Sequence, residues 1–215
     1  NKWTLVQDTA WEGYEEIPAM IMSGYLTLFR ELENSIHKPS KPKIDIVFLQ
    51  AGVGSMAAAG IYYYHNKYGA SRPKIVIVEP EEADGILLSF YNNQISTSKG
   101  NSNTIIAGLN CGTPSLGAWS LLKNGVDVSI KISDDYAKQA MRELYFPIAE
   151  DKRIISGESG ASGLAGFLAI MNDANYKTVK ETLDINSNSN ILFISTEGDT
   201  DKQVFERITS TNVAQ

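Results

Sequence analysis

An aliphatic run that breaks at a glycine turn into an alanine-rich stretch constrains this chain more than any other feature. Ile44-Asp45-Ile46-Val47-Phe48-Leu49 reads as a strand, bounded upstream by Lys38-Pro39-Ser40-Lys41-Pro42. Gly52-Val53-Gly54-Ser55 turns the chain, and residues 56–67 follow as a helix. Gly69 and Pro73 stop that helix, and Lys74-Ile75-Val76-Ile77-Val78 is a second strand. Two near-continuous aliphatic runs on either side of a helix predict a parallel crossover, because strands covered on both faces need apolar side chains on both.

The alternation continues. Val126-Asp127-Val128-Ser129-Ile130-Lys131-Ile132 alternates as a strand, followed by a helix over 134–144 with Ser133 or Asp134 as its cap. Residues 160–171 read as a small-residue helix entered from a glycine turn, and Ile191-Leu192-Phe193-Ile194 as a last strand. Upstream, residues 13–34 carry apolar side chains at helical spacing, including Ile17, Met20, Ile21, Leu28 and Leu32. The predicted class is α/β: a three-layer α/β/α arrangement around an open, mostly parallel sheet. Residues 88–103, rich in Ser and Asn, give no clear element.

Composition excludes several function classes. Nineteen basic residues against 25 acidic leave a net charge of −6, with no basic stripe of the kind nucleic acid needs. No apolar run reaches the roughly 20 residues of a membrane helix, and because the start, Asn1-Lys2-Trp3, has no apolar h-region, no secretory signal is expected. Cys111 is the only cysteine, so no internal disulfide forms, and a reducing, cytoplasmic setting is expected. With only His37 and His65 beside it, a zinc site lacks ligands. The first residue is Asn1 rather than Met, and the expectation is a piece of a longer protein.

Three turns are candidates for ligand binding. The 52–55 turn places glycine backbone at a helix N-terminus, where unpaired amides and the helix dipole favour a phosphate. Read literally, Gly52-x-Gly54-x-x-Ala57 also matches a dinucleotide fingerprint, with Glu79 as the ribose acid at the end of the next strand. Alternatively it is a tight strand–helix turn and holds nothing. Ser156-Gly157-Glu158-Ser159-Gly160-Ala161-Ser162-Gly163 is a second glycine turn, explicable as close helix–sheet packing. Ser195-Thr196-Glu197-Gly198-Asp199 closes the last strand, and in open α/β sheets ligands sit outside such carboxyl ends.

Gln7-Asp8-Thr9-Ala10-Trp11-Glu12-Gly13-Tyr14 packs acids, an amide, aromatics and a glycine before a helix. Asp8 suits a general base if partly desolvated; the plainer alternative is that Asp8 or Thr9 caps the helix that follows. Tyr62-Tyr63-Tyr64 reads as one buried and two surface aromatics, His65 as a helix-end residue, His37 as a loop residue and Cys111 as a small buried hydrophobe.

Taken together, Val6 to Tyr14, Phe48-Leu49-Gln50-Ala51-Gly52-Val53-Gly54-Ser55-Met56, Gly157-Glu158-Ser159-Gly160-Ala161 and Thr196-Glu197-Gly198-Asp199-Thr200-Asp201 resemble the diaminopropionate ammonia-lyases, pyridoxal-phosphate enzymes of the tryptophan-synthase-β-like fold (fold type II). Thr104-Ile105-Ile106-Ala107-Gly108-Leu109 and Glu79-Pro80 match patterns of the same superfamily. The resemblance implies a cytoplasmic homodimer of amino-acid catabolism that converts 2,3-diaminopropionate to pyruvate and ammonia with pyridoxal 5'-phosphate, and partners with neither nucleic acid nor membrane. It implies that Gly52, Val53, Gly54, Ser55 and Met56 cradle the cofactor phosphate. Ser195 or Thr196 would meet the pyridine nitrogen, Glu158 would lie near the ring, and Asp8 would face the substrate as base or orienting group.

By the same resemblance, residues 1–15 are the tail of a small domain and 16–215 the C-terminal part of the cofactor-binding large domain. No lysine here lies in the family's Schiff-base motif, which sits upstream in relatives, so the chain by itself is expected to be inactive. Two other readings stay open: a dinucleotide-dependent oxidoreductase built on the literal fingerprint, and a non-enzymatic ligand-binding α/β domain.

Overall fold

The computed structural model describes residues 3–36 and 43–210. His37 and the stretch 38–42 lie outside them. The aliphatic runs become β1 (Ile46–Gln50), β2 (Lys74–Pro80), β3 (Val128–Ile132) and β4 (Ile191–Phe193), paired in the order β3-β2-β1-β4. All three pairings are parallel. Parallel strands cannot be joined by tight turns, so each connection carries at least one helix.

Strand side chains alternate between two cores. Ile46, Phe48, Val76, Val78, Ile130 and Ile132 point to one face, and Val47, Leu49, Ile75 and Ile77 to the other. The second face is covered by α1 (Glu16–Ile36), α2 (Ser55–Tyr68) and α4 (Leu116–Gly125), which contribute Phe29, Ala58 and Leu122. The first is covered by α5 (Asp134–Tyr145), α6 (Ser162–Asn172) and α8 (Lys202–Ser210), through Met141, Ala165 and Phe205. The result is the three-layer α/β/α sandwich expected. Phe48 sits at its centre, fully buried and flanked by the rings of Phe193 at 5.4 Å and Phe167 at 6.1 Å. Burying such a ring contributes about 2–3 kcal/mol.

Elements without strong periodicity escape the sequence reading. α3 (Gly85–Asn92) runs into the Ser- and Asn-rich stretch, and α4 and α7 (Lys177–Leu183) are short. α8 is strongly amphipathic but only 9 residues long. Ser133 takes the N-cap position of α5 as expected, but its side chain makes no capping hydrogen bond and its backbone carbonyl takes the Tyr136 amide. Asp134 turns its carboxylate away, onto the Thr104 hydroxyl and the Ile105 amide. Likewise α1 begins only at Glu16, beyond capping reach of Asp8 or Thr9.

The strand order places the site. From β1 the chain winds to β2 and then β3 on one side, whereas β4 joins β1 from the other. The order reverses between β1 and β4, and at such a switch point the loops after neighbouring strands diverge and leave a crevice. The loops that diverge here carry Gly52 and Thr196.

Candidate active site

A cavity of about 550 Å³ opens at that point. Its volume falls within the range of small-molecule pockets. Asp8, Gly52, Val53, Gly54, Ser55, Met56, Ser195 and Thr196 all line it. Glu158 does not; its half-buried carboxyl lies outside the lining, held above the usual carboxylate range by burial and by the nearby charges of Glu197 and Asp201. Ser159 and Glu197, from the other two candidate turns, also line the cavity, as do Gln50, Tyr25 and Cys111, to which the sequence assigns no role in a site. Gln50 leaves a trace in the sequence: it is the one polar residue in an otherwise apolar strand.

The floor is the N-terminus of α2. Gly54 takes the cap position with φ +92°, a left-handed conformation open to glycine, and no side chain caps the helix. The amides of Gly54, Ser55 and Met56 donate no hydrogen bond among the described residues. Unfilled amides at the start of a 14-residue helix form an anion cradle. At Gly52 an added Cβ would stand 3.1 Å from the Cys111 sulfur and 3.4 Å from the Gly108 carbonyl, so the loop approaches the opposite wall closely.

The rim comes from the N-terminal packet. Ser55 donates to the Asp8 carbonyl at 2.9 Å, and Ala10 exchanges hydrogen bonds with the start of α4: its amide with the Ser115 hydroxyl, its carbonyl with the Leu116 amide. Trp11 stacks on Tyr14 at 4.4 Å, and the Tyr14 hydroxyl takes the Gln7 amide and donates to the Leu5 carbonyl. These contacts pin the segment across the cavity mouth and bring the Asp8 carboxylate to its edge.

The second glycine turn is closed from within. Glu197 sends its carboxylate onto the amides of Ser159 at 2.7 Å and Gly160 at 3.4 Å, while its carbonyl accepts from Gly157. A nest filled by an internal carboxylate holds no external anion. Cys111 also needs correction. It is half-buried and lines the cavity, and its thiol is pushed up by burial and by Asp8, against the opposing Val53 amide, so it stays protonated rather than acting as a thiolate.

Glu79 settles the dinucleotide alternative. It is fully buried, and its two carboxylate oxygens accept the amides of Ile86 and Leu87 at 2.7 and 2.8 Å, filling the N-terminus of α3. Neither oxygen is left for a ribose. The other minor expectations hold with one refinement: Tyr64 is fully buried and Tyr62 exposed, but Tyr63 is half-buried against Phe29. His65 is exposed in the last turns of α2, its carbonyl taking the Gly69 amide.

A family model described as pyridoxal-phosphate dependent enzyme matches residues 2–184. The chain belongs to this family. Among curated proteins it is 37% identical over 209 residues to the diaminopropionate ammonia-lyase of Salmonella typhimurium, covering 96% of this chain and 52% of that protein. The Escherichia coli K12 diaminopropionate ammonia-lyase is 40% identical over 206 residues, with the same shares covered. A crystal structure of the Escherichia coli enzyme superposes with a TM-score of 0.87 at 39% identity, over 97% of this chain and 53% of that one. Another, in complex with D-serine, gives the same score over 96% and 51%. The chain thus spans about half the length of the relatives it matches. Maize serine racemase, at 24% identity and a TM-score of 0.68, shares the fold.

The residues present fit the family's cofactor. An uncapped helix N-terminus with free amides suits a phosphate, and the hydroxyls of Ser195 and Thr196 on the same cavity suit the ring end. Among the described residues no lysine lines it. No described helix is long and apolar enough to cross a membrane.

Proposed function

We propose that the chain is the cofactor-holding part of a lyase that converts 2,3-diaminopropionate and water to pyruvate and two ammonia molecules. The open amide row at the start of α2, facing two strand-end hydroxyls across one cavity, carries this reading. The names of the relatives, all diaminopropionate ammonia-lyases at 37–40% identity, support the substrate. A relative solved in complex with D-serine supports an amino-acid ligand.

When bound, pyridoxal phosphate serves as the electron sink for the elimination. The chain's own contributions follow from its geometry. Amides 54–56 hold the phosphate by dipole and hydrogen bond, without a cationic side chain. A hydroxyl at the ring nitrogen leaves the ring less electron-withdrawing than a carboxylic acid would, which suits β-elimination over deeper carbanion chemistry. The Asp8 carboxylate, at the rim, faces the substrate amino acid as its base or orienting group. The lysine that anchors the cofactor covalently would come from another part of the protein, with residues 1–15 the tail of a small domain and 16–215 the C-terminal part of the large, cofactor-binding domain of a cytoplasmic homodimer.

Purified full-length protein should be yellow, lose its visible band on borohydride reduction, and release pyruvate from one isomer of 2,3-diaminopropionate. Asp8→Asn should lower kcat by about 100-fold or more, the usual scale of a general base. A colourless protein that forms no pyruvate from either isomer sinks the reading.

A further inference from the structure

Gln50 ends β1 almost fully buried at 2% exposure, and its side chain reaches the cavity. Its amide nitrogen donates to the Ile194 carbonyl at 2.7 Å and to the Thr196 hydroxyl oxygen at 2.8 Å. Its own oxygen, Oε1, is buried without a partner. A carbonyl only accepts, so Ile194 dictates which end of the amide faces it: turning the amide over would set two oxygens against each other. Both amide protons are therefore committed, at the expense of an unsatisfied oxygen, and such a group in a native interior points to a functional constraint.

The consequence falls on Thr196. Its oxygen receives a proton from Gln50, so its own proton must point elsewhere, and among the described residues no acceptor meets it. Ser195 differs. Its hydroxyl donates to Ser156 at 2.9 Å, with the Glu197 carbonyl at 3.4 Å as a second acceptor. One strand-end hydroxyl is spent inside the protein and the other is held as a free donor beside the cavity.

We propose that Gln50 is a positioning residue: it fixes the direction of the Thr196 hydroxyl, keeping its proton aimed into the cavity, and so makes Thr196 rather than Ser195 the group that donates to the cofactor ring. This role rests on the pyridoxal-phosphate reading above. It also explains a polar side chain at the end of a strand whose other four residues are apolar.

The test uses full-length protein loaded with pyridoxal phosphate, read by the visible absorption band of the bound cofactor and by its dissociation constant. Gln50→Leu and Thr196→Val are each expected to shift the band and weaken cofactor binding by about tenfold, and the double variant to be no worse than Thr196→Val alone, the non-additivity of groups acting through one contact. Thr196→Ser should restore the band, and Ser195→Ala should shift it less than Thr196→Val. Where Gln50→Leu fails to fold, Gln50→Glu takes its place at nearly equal volume. Ionised, its carboxylate accepts from Thr196 and withdraws the proton from the cavity, so the band becomes pH-dependent where the wild type's is not.

A full further loss on adding Gln50→Leu to Thr196→Val means that Gln50 acts through Ile194 and the sheet alone, and overturns the proposal. So does a pH-independent wild-type-like band in Gln50→Glu. A wild type that binds no pyridoxal phosphate overturns the cofactor reading beneath it, whereas normal binding without the coupling overturns the Gln50 role by itself.

Discussion

The two glycine turns, at 52–55 and 157–160, look alike in sequence and end differently. Each follows extended chain, each opens a helix of small residues, and each exposes backbone amides through glycine. At the first, the amides face a cavity and no side chain fills them. At the second, the Glu197 carboxylate lies on them. Glu79 closes the start of α3 in the same manner. A glycine turn is an anion site only where the surrounding fold supplies no carboxylate of its own. That condition belongs to tertiary structure and not to the turn.

The strongest way to break the comparison is to spoil the open turn. In Gly54→Ala the new Cβ would stand 2.7 Å from Leu122 Cδ1 and 3.3 Å from Ile86 Cδ1, on a backbone at φ +92°. Strain and overpacking together should cost about 3–4 kcal/mol in chemical denaturation and abolish cofactor absorbance. A variant that binds pyridoxal phosphate normally would remove the 52–55 turn from the site.

Opening the closed turn tests the other half. Glu197→Gln weakens charge-assisted bonds to the Ser159 and Gly160 amides and should destabilise the protein by about 1–3 kcal/mol. If the carboxylate is what occupies the nest, inorganic phosphate should raise the melting temperature of the variant more than that of the wild type.

Glu79 sharpens the same point through pH. Burial pushes its carboxyl up to about 8 from an ordinary value of 4.5, against the downward pull of the Ile86 and Leu87 amides. Between those values the folded protein keeps a proton that the unfolded chain has released, so stability falls as pH rises, at a slope of about 1 kcal/mol per pH unit for one group. Denaturation curves from pH 5 to 8 should show that slope, and Glu79→Gln should flatten it. An unchanged slope would move its origin to another group.

The smallest effect is expected at Gly52→Ala, whose Cβ meets the side-chain sulfur of Cys111 at 3.1 Å. Stability should change by less than about 1 kcal/mol, and cofactor affinity should fall a few-fold. Cys111→Ala in the same chain should recover most of the loss by restoring clearance.

Legibility in the sequence followed the range of the physics involved. β1, β2 and the turn between β1 and α2 were readable because aliphatic runs and glycine act locally, within one element. Ser133 is the N-cap residue by position, but that its hydroxyl makes no capping bond and that Asp134 is drawn onto Thr104 and Ile105 depend on partners about 30 positions away. Glu79 looked free to bind a ribose because nothing in its own neighbourhood announces that α3 begins at Gly85 and needs its amides filled. Cys111, read as a core residue by type, is a wall of the cavity because the 107–111 segment folds back over Gly52.

By itself the sequence determined the α/β class, the strands and the glycine turn that opens α2, since periodicity and backbone freedom are properties of short stretches. Only the tertiary structure decided that β4 returns to the far side of β1, that Glu197 rather than a ligand fills the second turn, and that Gln50 reaches Thr196 across 146 positions of chain. Those contacts depend on which strands become neighbours, and strand order is set by how both faces of the sheet are buried at once, a condition on the whole chain that no single segment carries.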